Sequence, residues 1–519
     1  MKKSSWVAAL LGVVFGFLCA FLWDVAFKDR KAGAESPQWQ KLNLALNAIE
    51  NAYVDTLNHP KLTDEAIEAV LKALDPHSVY MLPKELEQAD GDLAGNFEGI
   101  GIQFNVPNDT AIVIETIAGG PSEKIGMLAG DRLLRVDGRN IAGVKCPQDS
   151  MVRLMRGLAG TKVLVEVKRG REEIPFEITR AKIPVNSVEA FFMVSDTVGY
   201  IRLSKFSRDT FVEFLSAAFK LNKQGMKKMI LDLRDNTGGF MDQALLMANS
   251  FLPKGAELVY MEGLHYPKHV YYADGQGPFQ DMAISILMNE SSASSSEILA
   301  GAIQDNDRGV IYGRRSFGKG LVQEPINFSD GSGIRLTVAR FHTPSGRCIQ
   351  KPYERYNYDI YDRYAGGEML EADSIKVDRS VEYYTKAGRV VYGGGGIVPD
   401  VFVPIDTTRA TAFYSACSRK ATALRFASAY FDAHKAELQA IGDYAELERY
   451  LAKVGLECRF LAFAKEKDGL SPLPGEWEKN SIYMLVQIKA LVGRYSKLGE
   501  NAFYHMYLQT DETFHCAMN

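Results

Sequence analysis

Between residues 183 and 404, short apolar runs alternate with runs of helical character, and this alternation limits the possible folds more than any other feature. Val198–Leu203 reads as a strand, 209–221 as a helix, 229–233 as a buried strand, 241–251 as a helix and Ala283–Met288 as a further buried strand. Such alternation specifies an α/β domain. Residues 399–404, Pro-Asp-Val-Phe-Val-Pro, are expected to close it. At 519 residues the chain is too long for this domain alone.

The flanks differ in kind. Residues 36–94 form a helical region: Trp39, Leu42, Leu46, Ile49 and Tyr53 recur at helical spacing, and a second helix is expected to start at an N-cap Thr63 and stop near Asp75-Pro76. Residues 95–182 are β-rich, with runs at 111–117, Arg132–Val136 and 162–168 between glycine turns, and one short helix at 150–155. Residues 405–519 are helical. Ile482, Leu485 and Val486 mark an apolar face interrupted by Lys489, and packing or homo-oligomer formation is the expected use of the region. The fold class is therefore a multidomain α/β chain.

The first 35 residues read as an address. Lys2 and Lys3 precede the uncharged apolar run 6–23, which is long for a cleaved signal and near the lower limit for a spanning helix. The expectation is a membrane anchor and a cell-envelope, periplasmic or extracytoplasmic location. A net charge of −4 without a basic stripe excludes a nucleic-acid partner. The six cysteines form no C-x-x-C pair and the eight histidines no H-E-x-x-H, so no metal and no cofactor is expected.

Chemistry concentrates in residues 289–323. Five serines, at 291, 292, 294, 295 and 296, follow the apolar run Ala283–Met288 and open a helix-like segment. A serine cluster is most often a cap, yet a serine at a strand-to-helix turn also meets backbone amides and a favourable helix dipole for a developing oxyanion. Composition and spacing do not choose among the five. Lys319 lies between Gly318 and Gly320. A phosphate loop is excluded because Gly320 stands where Ser or Thr would hold magnesium, and Leu321-Val322-Gln323 reads as a strand. A lysine acts as a base only when neutral, which burial favours. The strand 229–233 ends in the polar turn Arg234-Asp235-Asn236-Thr237-Gly238-Gly239, and Gly99-Ile100-Gly101-Ile102 opens the β-rich module with a loop of the kind that captures a carboxylate beside a strand edge.

Taken together, these residues resemble the carboxy-terminal processing proteases of the S41 serine peptidase family. The motifs are Leu74-Asp75-Pro76-His77-Ser78, Gly99 to Phe104, Gly130-Asp131-Arg132-Leu133-Leu134 of a PDZ-like module, the turn 232–239, Ser292-Ala293-Ser294-Ser295-Ser296-Glu297, Phe317-Gly318-Lys319-Gly320 and Gly396-Ile397-Val398-Pro399-Asp400. The resemblance implies Ser294 as nucleophile, Lys319 as general base, Gln323 as the residue orienting the lysine, and the amides of Gly238 and Ser295 as the oxyanion site. Asp305 follows in second rank. It further implies that Gly99, Ile100, Gly101 and Ile102 bind the free C-terminus of a protein or peptide substrate. Thr237 stands where the family carries proline, and Ser291 and Ser295 replace glycine and alanine. A peptide-binding scaffold of the envelope without turnover is the alternative from another functional class.

Overall fold

The computed structural model describes residues 37–106, 109–117, 119–409 and 411–519. The apolar run 6–23 and Cys19 lie outside the described residues, and no described helix is long and apolar enough to cross a membrane. The chain divides into a unit ending at Ala73 and a second unit, Leu74–Asn519.

In the first unit the described helices are Pro37–Ala52 and His59–Lys72. The second starts four residues before the expected Thr63. Asn58 caps it by accepting from the Lys61 amide, and Pro60 suits the first turn, where no amide donor is needed. Pro37–Ala52 buries none of its residues, so its apolar stripe at Trp39, Leu42 and Leu46 is exposed.

The second unit is built on a sheet of six strands among the described residues, in the order Val188–Met193, Val198–Leu203, Lys228–Asp232, Ala283–Met288, Val310–Gly313, Val401–Phe402. The first pair is antiparallel and every later pair parallel. Met229, Ile230, Leu231, Ile286 and Leu287 are buried, as strands covered on both faces must be. Thr210–Lys223, Met241–Asn249 and Ser295–Asp305 are the helices of the crossovers. In such sheets functional loops gather beyond the carboxyl ends of the strands, and those ends carry the turns after Asp232 and Met288.

A second sheet supplies the other wall of the site. Gly333–His342 pairs with Leu321–Asn327 along one edge and with Val79–Met81 and Glu257–Gly263 along the other. The Val79–Met81 pairing joins part of the 36–94 region to the domain read at 183–404, a link no local pattern carries.

The β-rich module is inserted through a two-stranded neck, Asn96–Gly99 against Ala181–Pro184. Ile102–Asn105 is an edge strand of its sheet, followed by Ile112–Thr116, Arg132–Val136, Lys162–Arg169 and Glu172–Thr179. Buried Asp131 accepts two hydrogen bonds from Arg169, at 2.7 and 2.6 Å, and one from the Leu128 amide.

The helical region from Ala412 to Met518 has its own core, centred on Glu476–Arg494. Ile482 is exposed there, whereas Met484, Val486, Ile488, Ala490 and Val492 are buried. The helix packs on several sides, so its apolar positions do not follow the single stripe expected from Ile482 and Leu485. The region touches both other parts of its unit: Arg234 pairs with Asp511, Asn501 accepts from the Phe191 amide, and Arg132 of the inserted module pairs with Asp432.

Candidate active site

Two turns at adjacent strand ends are tied together. Asp235 and Asn289 exchange two hydrogen bonds, the Asp235 amide to Asn289 Oδ1 at 3.0 Å and Asn289 Nδ2 to Asp235 Oδ1 at 2.8 Å. The Ala293 amide donates to the Asn236 carbonyl at 3.0 Å. Beneath them the fully buried Asp232 carboxylate takes hydrogen bonds from Arg234 and from the Tyr200 hydroxyl.

The five serines now separate. Ser291 is exposed. Ser292 Oγ donates to the Leu233 carbonyl at 2.8 Å, Ser295 Oγ to the Gly239 carbonyl at 2.8 Å and Ser296 Oγ to the Asn236 carbonyl at 2.9 Å. These three hydroxyls hold the turns together. Among the described residues no carbonyl takes the Ser294 hydroxyl. Ser294 is half-buried at the N-cap of Ser295–Asp305 with φ 55° and ψ −113°. That backbone is costly for a residue with a Cβ, and such strain clusters at functional sites.

Lys319 is half-buried on the loop preceding Leu321–Asn327. Its Nζ donates to Gln323 Oε1 at 3.1 Å, and Gln323 Nε2 donates to the His77 carbonyl at 2.6 Å. The amide is thereby turned with its oxygen toward the lysine. Gln323 sits at a register shift against Gly333–His342, a β-bulge of the kind that re-aims a side chain beside a site. Burial, and next the charge of Arg335, hold the Lys319 amine below the ordinary lysine range, while Glu297 and Asp75 oppose them. Nζ and Ser294 Oγ share no hydrogen bond among the described residues. Nucleophile–base contacts often close only when substrate is bound.

The two loops meet on Glu297. Its Oε2 accepts from the Ser294 amide at 2.7 Å and from the Lys319 amide at 2.9 Å, and its Oε1 accepts from the Gly318 amide at 2.7 Å and from Ser316 Oγ. The Phe317 amide also donates to the Ser292 carbonyl at 2.9 Å. Gly318, with φ 88°, leaves no room for a side chain: a Cβ would lie 3.1 Å from the Gly396 nitrogen.

Gly238 lies against Ser294, and a Cβ on it would come within 2.7 Å of Ser294 Cβ and 2.9 Å of the Ser295 nitrogen. The two amides implied for the oxyanion site are therefore neighbours. The Gly238 amide, however, donates to Asn236 Oδ1 at 2.9 Å, an Asx-type bond that motif reading did not anticipate. Oxyanion binding by this amide requires that bond to yield.

Asp305 is not brought to the cluster. It ends the helix that Ser294 begins, about 16 Å away at 1.5 Å per residue, and it pairs with Arg347 at 2.8 Å while accepting from the Ser345 amide. Its position three helical turns along accounts for the separation. Gly99 to Ile102 are also remote in kind. They lie in the inserted module, where Gly101 has φ 72°, the Ile100 carbonyl accepts from the Ser122 amide and hydroxyl, and Ile102 begins the edge strand.

Sequence reasoning passed over Glu297, Asn236 and the His77 carbonyl. All three stood inside quoted motifs, so the signal was present as pattern without a role. His77 itself stays neutral near pH 7, because burial, and then the Lys319 charge, push its imidazole down to about 4.

The model of peptidase family S41 matches residues 197–360, that of the PDZ domain residues 99–179, and that of the activating protease CtpB N-terminal domain residues 24–84. A relative from Staphylococcus haemolyticus (strain JCSC1435), named "Probable CtpA-like serine protease", is 36% identical over 357 residues, 67% of this chain and 71% of the relative. The chain belongs to peptidase family S41. Within S41 it is a CtpA-like serine protease with a PDZ domain. The relative of the same name from Staphylococcus aureus (strain MRSA252) is 34% identical over equal shares. Among solved structures, the photosystem II D1 C-terminal processing protease is 28% identical, covering 70% of this chain and 86% of that one, with a TM-score of 0.39. The S41 match takes in both Ser294 and Lys319, and the PDZ match begins at Gly99.

Proposed function

We propose that this protein is an endopeptidase that cleaves protein substrates near their C-termini with Ser294 as nucleophile and Lys319 as general base. The observation carrying this reading is the division of labour among the serines. Three hydroxyls are committed to backbone carbonyls. Ser294 sits strained at a helix N-terminus, on a loop whose carboxylate also holds the loop of Lys319.

A neutral Lys319 takes the Ser294 proton as the hydroxyl attacks the scissile carbonyl. Burial favours the uncharged amine, and Gln323 supplies an oxygen that fixes its direction. The tetrahedral oxyanion is received by the Ser295 amide, which heads a helix and lacks an intrahelical acceptor, and by the Gly238 amide once Asn236 releases it. The protonated lysine then returns its proton to the leaving amine. Water enters by the same base and frees the acyl group.

The PDZ domain, with its Gly99–Gly101 turn beside the edge strand Ile102–Asn105, suits the carboxyl terminus of an extended chain. The run 6–23 is assigned to anchor the enzyme at the cell envelope, facing the periplasm or exterior. Fractionation that finds full-length protein only in the soluble cytoplasm overturns that assignment.

The deciding assay is hydrolysis of an unfolded protein by wild type, Ser294→Ala and Lys319→Ala. Loss in both variants with retained peptide binding supports the reading. Binding without turnover in wild type favours a scaffold, and equal turnover by all three removes the serine–lysine mechanism.

A further inference from the structure

Glu297 has no part in the proton transfers above, yet its carboxylate accepts four hydrogen bonds within the site. A Glu three residues after an N-cap commonly returns to the cap amide, and the bond from the Ser294 amide is of that kind. A simple cap ends there. Glu297 is instead fully buried and takes three further donors, Ser316 Oγ and the amides of Gly318 and Lys319, all from the loop that carries the base. One oxygen, Oε2, serves the backbone of both candidate reacting residues.

We infer that Glu297 is a positioning residue for the reaction, its carboxylate setting the separation of the Ser294 and Lys319 loops. The inference rests on the assignment of Ser294 and Lys319 proposed above. Three of the four donors are backbone amides that cannot reverse their roles, so the arrangement demands an acceptor on both oxygens. A glutamine would turn an NH2 group toward two of the donors, which leaves buried amides unpaired.

Electrostatics point the same way. Burial pushes the Glu297 carboxyl up to about 7, against the pull of its four donors. Its negative charge favours the protonated form of Lys319. Among the described residues, the other charged or titratable groups around the pair include Asp75, Arg335 and His77 toward Lys319, Tyr356 toward Glu297, and Arg363 and Lys351 beside the loop 316–319. Removing the Glu297 charge therefore lowers the pH at which Lys319 becomes neutral.

The test compares Glu297→Gln and Glu297→Asp with wild type, using steady-state cleavage of an unfolded protein from pH 5 to 10 and the binding of a C-terminal peptide. For Glu297→Gln the expected kcat is about 100-fold lower, as for two lost charge-assisted bonds. KM and peptide affinity stay unchanged, and the acid limb of kcat/KM moves about one pH unit down. Glu297→Asp keeps the charge with a shorter reach. It should lose about tenfold in kcat with the limb in place. If Glu297→Gln does not fold, Glu297→Asp decides by its kcat. Wild-type kcat in either folded variant, or an unmoved limb in Glu297→Gln, overturns the inference. Ser294→Ala and Lys319→Ala run in parallel: if either retains turnover, it is the underlying assignment that has failed.

Discussion

The Ser294–Lys319 cluster and the Gly99–Ile102 loop are both glycine-bearing turns that present backbone amides, and they are held in opposite ways. In the cluster, hydrogen bonds run between residues far apart in sequence, such as Ser292 to Leu233, Lys319 to Glu297 and Gln323 to His77. It stands at the ends of buried parallel strands. The loop belongs to an inserted domain joined through a two-stranded neck, and its strand Ile102–Asn105 is an edge of its sheet with no second strand partner among the described residues. Chemistry requires groups fixed to a fraction of an ångström, whereas capture requires donors still open to a partner. Under the proposed function these needs fall to separate domains.

That division predicts which kinetic constant each change should move. Ser294→Ala is expected to lower kcat by about 10^4-fold or more and leave peptide affinity untouched, measured by cleavage and by titration of a C-terminal peptide. A comparable loss of peptide binding would break the separation. Lys319→Ala should cost about 10^3-fold. Because burial lowers the lysine below its ordinary value near 10.5, wild-type kcat/KM should rise with pH through a limb lying under that value, and the limb should vanish in the variant.

Smaller effects sharpen the contrast. Gln323→Ala removes one oriented bond to the amine and should lower kcat about tenfold at constant KM. Gly101→Val puts a side chain at φ 72°, with a Cβ only 3.0 Å from Ile183 Cδ1. The strain of about 1–2 kcal/mol should raise KM by about tenfold with kcat unchanged. A fall in kcat instead would show that the loop also helps assemble the cluster. Arg132→Ala breaks the half-exposed pair with Asp432 between the PDZ domain and the C-terminal helices. It should change unfolding stability by under about 1 kcal/mol, measured by denaturant titration.

The sequence alone determined the class of fold and the motifs. Period-two and buried runs marked Val198–Leu203, Ala283–Met288 and Arg132–Val136 because burial on one or both faces writes itself locally. Ser294, Lys319 and Gln323 were legible together only through the family resemblance, since composition and spacing did not choose among the five serines. Tertiary structure decided what distance along the chain conceals. The helix Ser295–Asp305 carries Asp305 away to Arg347, and the fold brings the Glu297 carboxylate under two loops at once. It also pairs Val79–Met81 with a strand more than 250 residues later and sets Asn236 on the Gly238 amide. The physical reason is the same in each case: a hydrogen bond or a buried charge depends on which atoms meet in space, and no local periodicity records that meeting.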